Sequence, residues 1–390
     1  MKEQLTMKSR IKELYRNPVG HDVIHKILLQ MNLSPRYVTN PLVQNLKLSF
    51  IQKLMKNKLE ASFFLALLDL LNSEKERYIE PEIAQAKKVW WKEAVFYQIY
   101  PRSFYDSNGD GIGDIRGIIK KLDYLQNLGV DAIWLSPIYD SPNDDNGYDI
   151  RDYYQIMQEF GTMEDFDYLL KEVHQRGMRL IMDLVVNHTS DEHHWFQEAL
   201  HDPSSKYRDY YFFQDGEANQ PPNNWNYYGE KKVYALPLLS QKQMNLNWES
   251  TELRGEIQQM ISWWLKKGVD GFRMDVINYI SKQPGLPEGN KVIGELMGFY
   301  GIEHYFYGPK LHTYLKEIQQ QAFGPNQAFS VGEMPGIGLE MGKLITGEGR
   351  DELDLFFSFD HLENPGKTRF DPYLYDLNYL KSYLANWNKN

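Results

Sequence analysis

The chain has 390 residues, 42% of them apolar, with 53 acidic against 43 basic side chains and no cysteine. That length and apolar share allow a sizeable buried core and exclude a disordered chain, and the lack of cysteine excludes disulfides, thiolate metal centres and a cysteine nucleophile. Charge is uneven, with 15 Lys/Arg against 9 Asp/Glu in residues 1–88 and 28 against 44 in 89–390, so the acidic second part disfavours nucleic acid and suits a neutral substrate.

Residues 1–88 read as helices, because Val23, Ile27 and Met31, with Ile24 and Leu28, fall on one helical face. Pro18, Pro35 and Pro41 punctuate, further periodic stretches cover 42–55 and 62–71, and 72–77 is polar enough for a linker. No run approaches the ~20 apolar residues that cross a bilayer, and the N-terminus shows no secretion signal. The expectation is a cytoplasmic chain, outside any membrane, that opens with an all-α domain over 1–88. Self-association or complementation through these helices is the partner this part suggests.

From Trp90 the grammar changes to short apolar strands alternating with amphipathic helices, the pattern of a parallel sheet wound by helices. Strands are predicted over 96–100, 132–136, 179–186, 271–274, 328–331 and 355–359, and helices over 115–127, 163–176, 251–267 and 310–321. The fold class is α/β, a (β/α)8 barrel of TIM type over 89–390 with six legible strands, two short of closure. Its two open edges are a second route to association.

Within that part, DSNGDGIGD at 106–114 sets oxygen side chains at alternate positions around permissive glycines. Asp106, Asn108, Asp110, the Ile112 carbonyl and Asp114 are thus candidate ligands of a structural Ca²⁺ or Mg²⁺, although Gly117 stands where an EF-hand has its glutamate; a metal-free Asx-rich turn is the competing reading. No organic cofactor is expected. Three apolar runs then end in polar clusters, DLVVNH at 183–188, GFRMDV at 271–276 and SVGEMPG at 330–336. Polar residues just past barrel strands are how such a fold gathers chemistry at one end. Asp275 and Glu333 are the paired carboxylates a retaining glycosidase needs, which requires them to be ~5–5.5 Å apart. Arg273, two residues before Asp275, falls on the same strand face and can hold that carboxylate ionised. His188 is placed to donate to a sugar hydroxyl, and Asp183 lies mid-run as an anchor for neighbouring loops. Tyr148 and Trp225 sit in loops where rings can stack on sugars.

From about residue 90 the chain resembles the α-amylase superfamily of glycoside hydrolases, nearest its oligo-1,6-glucosidase and α-glucosidase branch. The resemblance rests on WWKEAVFYQIYPRSFYDSNGDGIGDIRGI, IWLSPIYDSPNDDNGYDI, LIMDLVVNHTSDEHHWF, GVDGFRMDVINYISK and VGEMPG, in the family's order. It implies Asp275 as nucleophile, Glu333 as general acid/base, Arg273 as partner of the nucleophile, and Asp145, Tyr148 and His188 as contacts to the terminal glucose. Val276 resembles the residue found in members that accept α-1,6 bonds. The implied activity is exo-hydrolysis of terminal α-1,6 glucosyl bonds, and also α-1,4, in oligosaccharides, within carbohydrate metabolism. The resemblance also places a His-Asp motif and a glucose-binding arginine beyond Asn390, and puts QMNLNW at 243–248 where the branch shows a proline-aspartate pair. Two rival expectations follow: an impaired fragment or sugar-binding module, and a glucosyl transferase or sucrose isomerase.

Overall fold

The computed structural model describes residues 4–73, 89–216, 225–363, 366–367 and 371–389. Six parallel strands form one sheet in sequence order: β1 (Phe96–Ile99), β2 (Ala132–Leu135), β3 (Arg179–Leu184), β4 (Gly271–Met274), β5 (Phe329–Glu333) and β6 (Leu355–Phe357). Apolar residues on both faces suit them to a sheet with helices outside and a filled interior. On the outer side Leu180, Met182, Phe272 and Met274 are buried. On the inner side Ala132, Ile181 and Phe329 pack with Trp90, Trp91, Phe96, Trp134, Val331 and Leu355 as a separate apolar plug. Gly271 is required where β4 meets β5, because a Cβ there would stand 2.2 Å from the Phe329 carbonyl oxygen. The sheet ends at β1 and β6, so the expected six-stranded part of a barrel is what forms.

The helices form where capping and periodicity agree. The longest, Thr251–Lys267, starts at Ser250, whose side chain accepts from the Leu253 N–H, and stops at Gly268 with φ 113°. Leu253, Ile257, Met260, Ile261, Trp264 and Leu265 form its buried face. Three expectations shift. The stretch 115–127 is two helices, Ile115–Lys120 and Leu122–Leu128, broken at Lys121 where φ is −105° and ψ is 1°. The helix predicted over 310–321 is α-helical over Leu311–Ile318 and widens to a π turn over Gln319–Phe323. β5 ends two residues later than predicted, which makes Glu333 the last strand residue rather than a loop residue.

The described residues before the barrel, 4–73, are largely helical, and the stretch 42–55 divides into Pro41–Gln44 and Leu48–Met55. Two helices matter most for the site, α1 (Pro18–Gln30) and α2 (Ala61–Ser73). Asn17 caps α1 by accepting from the Val19 and Gly20 N–H groups, with Pro18 pre-set in the first turn. The predicted linker over 72–77 begins as helix through Ser73, and its remainder lies outside the described residues. These helices dock on the barrel part through polar contacts. The Asp22 carboxylate accepts from the Met341 N–H at 2.7 Å, capping the helix Leu339–Thr346, whose own N-cap Gly338 has no side chain to do so. Lys26 Nζ reaches Asp360 at 2.9 Å and Glu363 at 2.5 Å.

Candidate active site

Three adjacent strands aim their last inward side chains at one point. Register pairs Arg273 of β4 with Asp183 of β3 on one side and Val331 of β5 on the other. Strand alternation then brings Asp275 and Glu333 to the same mouth, one layer higher. The Arg273 guanidinium ties the layers together: Nη1 donates to Asp183 Oδ1 at 2.7 Å and to Asp275 Oδ1 at 2.8 Å, and Nη2 donates to Glu333 Oε2. Arg273 itself is 4% exposed, beneath Trp134, Tyr148 and Phe357 with its Cζ 5.0, 5.5 and 5.7 Å from their ring centres. One cation therefore serves three buried carboxyl groups, and its own proton is held more firmly than usual by those neighbours despite burial.

Three acids around one guanidinium cannot all ionise cheaply. Burial, then the adjacent Asp275 carboxylate, pushes Glu333 up to about 8 against the opposing pull of Arg273, so Glu333 holds its proton at neutral pH. Burial also raises Asp183 to about 6, with Arg273 again pulling the other way. Asp183 is fully engaged, accepting from Trp134 Nε1 at 3.1 Å and the Tyr148 hydroxyl at 3.2 Å besides Arg273. Read from sequence as an anchor for loops, Asp183 instead belongs to the charged centre. After Asp275 the chain turns through Val276, at φ 36° and ψ 41°. A β-branched residue in the left-handed region is strained, a cost that concentrates at functional sites. The turn brings the Val276 N–H to 3.5 Å from Glu333 Oε2.

His188, Tyr148 and Asp145 gather beside this centre. His188 Nε2 lies 3.1 Å from the Tyr148 carbonyl oxygen, which can only accept, so Nε2 carries the proton and Nδ1 accepts from Asn187 Nδ2 at 3.3 Å. In this arrangement the imidazole N–H is given to Tyr148 rather than turned outward to a sugar. Burial keeps His188 neutral, below its usual pKa, with Asp275 and Asp145 near enough to oppose that. Asp145 Oδ2 accepts from Gln243 Nε2 at 2.8 Å. Asn187 Oδ1 in turn accepts from Lys282 Nζ at 3.2 Å. Among the described residues Lys282 is buried without a carboxylate, its other hydrogen bond going to the Tyr279 carbonyl at 2.9 Å, and burial lowers it to about 7. In QMNLNW, Asn245 pairs with His188 across two short antiparallel strands, and both its side-chain polar atoms lack partners among the described residues. Trp225 enters none of these contacts. Sequence reasoning missed Trp134, Phe357 and Lys282. The first two alternate inward on predicted strands and were findable, whereas Lys282 carries no local signal.

The 106–114 loop lies apart from this centre and curls on itself. Asp106 accepts from the Gly109 and Gly111 N–H groups at 2.6 and 2.8 Å, and Asp114 Oδ1 caps the helix Ile115–Lys120 through the Gly117 N–H at 2.6 Å. Among the described residues no three carboxylates or imidazoles converge as a metal site would require. No described helix is long and apolar enough to cross a membrane.

The family description for the α-amylase catalytic domain matches residues 98–390. The chain belongs to the α-amylase family. An oligo-1,6-glucosidase of Halalkalibacterium halodurans is 53% identical over 311 residues, covering 77% of this chain and 55% of the relative. That of Bacillus cereus is 52% identical over 315 residues, covering 78% and 56%. Among solved structures, trehalose-6-phosphate hydrolase of Bacillus licheniformis superposes with TM-score 0.72 at 43% identity, over 77% of this chain and 55% of that one. Isomaltulose synthase of Klebsiella sp. LX3 gives 0.73 at 43% identity, over 78% and 56%. The chain thus spans about half the length of the curated relatives it matches.

Proposed function

We propose that this chain carries the nucleophile and acid/base half of a retaining α-glucosidase acting on terminal α-1,6, and also α-1,4, glucosyl bonds of oligosaccharides. The observation that carries the reading is the single guanidinium bridging Asp275 and Glu333, with burial raising Glu333 toward the protonated form an acid needs. Glu333 gives its proton to the leaving oxygen while Asp275 Oδ attacks the anomeric carbon, forming a glucosyl ester and releasing the shortened sugar. Glu333, now ionised, takes a proton from water as that water displaces Asp275. Arg273 aims Asp275, Asp145 and the Tyr148 ring hold the terminal glucose, and His188 fixes the Tyr148 backbone through its N–H. The oligo-1,6-glucosidase relatives support hydrolysis; the isomaltulose synthase neighbour supports a second reading, in which a sugar replaces water as acceptor.

Incubation with isomaltose and p-nitrophenyl α-glucoside, against Asp275→Asn, tests this. Glucose release at least ~10³-fold above the variant is expected, and equal release in both refutes it; a rearranged disaccharide selects the acceptor reading. Since Glu333 must be protonated to act, kcat/KM should fall about tenfold per pH unit above about 8.

The 106–114 loop completes the proposal as a structural Ca²⁺ or Mg²⁺ site. Its donors are hard oxygens of the right type, with Asn108 and the Ile112 carbonyl supplementing Asp106, Asp110 and Asp114, all three carboxylates giving up backbone hydrogen bonds to bind. Chelation is then expected to lower Tm by a few degrees, and an unchanged melting curve rejects the metal.

A further inference from the structure

Between the N-terminal helices and the mouth of the barrel lies a cavity of about 190 Å³. One wall is Ile27 of α1 with Leu67 and Leu70 of α2, and the other is Phe299, Phe306 and Phe359 from loops beyond the strands. Its floor includes Pro335 and Gly336, two and three residues past Glu333, and Tyr279, four past Asp275. The cavity therefore opens beside the loops that carry both acids. Its walls are fixed in place: Asp22 caps the helix after Gly338, Lys26 joins Asp360 and Glu363, and the Asn278 amide donates to the Pro335 carbonyl at 3.0 Å.

An apolar cavity of ~150 Å³ accepts benzene, so this one has room for a single substituted ring. Its polar margin selects the substituent. The charged residues of its lining are one cation, Lys26, and three acids, Glu303, Asp360 and Glu363. Lys26 is already shared by Asp360 and Glu363. Glu303 accepts from the Asn290 N–H through Oε1, while its Oε2 has no hydrogen-bond partner among the described residues. An anion is repelled by this margin, and a cation supplies the counter-charge it lacks.

We infer that the N-terminal helices and the barrel mouth together form a binding site for a compact aromatic amine. The site stands independently of the glucosidase reading. Such a ring can arrive as the aglycone of a glucoside held at Asp275 and Glu333, or as a free effector beside them.

Titration calorimetry of the whole chain with 2-phenylethylamine, ethylbenzene and phenylacetate tests the inference. The amine is expected to bind one per chain, with phenylacetate at least about tenfold weaker. Ala66→Phe, which fills the cavity from α2, should weaken the amine about tenfold, and Glu303→Gln should weaken it severalfold while sparing ethylbenzene. Absence of saturable binding by the amine overturns the inference, as does undiminished binding in Ala66→Phe or equal binding of phenylacetate. Should Ala66→Phe fail to fold, Glu303→Gln and the charge series still decide. In Asp275→Asn, mutual exclusion of the amine and p-nitrophenyl α-glucoside identifies the aglycone role, and simultaneous binding identifies the effector role.

Discussion

Lys282 shows how one buried charge can organise a site at a cost in stability. Its ammonium fixes the Asn187 amide with oxygen toward itself and nitrogen toward His188, which sets the imidazole tautomer. With the folded pKa near 7 and the unfolded near 10.5, the charged form is penalised in the fold. The unfolded chain binds more protons between those values, so stability is lowest below pH 7 and rises as pH climbs toward 10.5. Lys282→Met should therefore melt about 5 °C above the parent at pH 6, with the difference shrinking by pH 10 in parallel calorimetric scans. Glu333 has the opposite dependence. Its folded pKa lies above the unfolded value, so its neutral form is tolerated and stability falls as pH rises through about 8. Asp275, Glu333 and Arg273 were legible because each sits at a strand end in an alternating pattern. Lys282 was not, because its position depends on a turn seven residues past Asp275.

At the scale of elements, the junction between α1 and the barrel part rests on a few polar contacts over a continuous apolar core. Removing the shared cation by Lys26→Met leaves half-buried Asp360 and buried Glu363 without their counter-charge, Glu363 keeping the Gln30 amide, at about 3 kcal/mol. Asp22→Ala removes a helix cap and the contact of Asp22 Oδ1 with His21 Nδ1, at about 1 kcal/mol. Urea unfolding should rank the two variants in that order, and a larger loss in Asp22→Ala would contradict this account of the junction. The helices themselves were readable from apolar spacing and proline punctuation. Their seat was not, since Asp22 and Met341 are 319 residues apart. Nor were the break at Lys121 and the π turn after Ile318.

For the whole molecule, the six-stranded sheet has two edges, β1 and β6, whose outward backbone groups can pair with another chain. Sedimentation velocity is expected to show association that grows with concentration, starting from the 46.0 kDa monomer; a single monomeric boundary at every concentration would exclude the edges as contact surfaces.

By itself the sequence determined the class of fold, the six strands and the strand-end placing of Asp275 and Glu333, because alternation and strand-end placement are local properties of the chain. Only the tertiary structure decided their electrostatics. Register brings Asp183, Asp275 and Glu333 around one guanidinium, and it is burial together with the imbalance of three acids against one cation, both invisible in any stretch of residues, that raises Glu333.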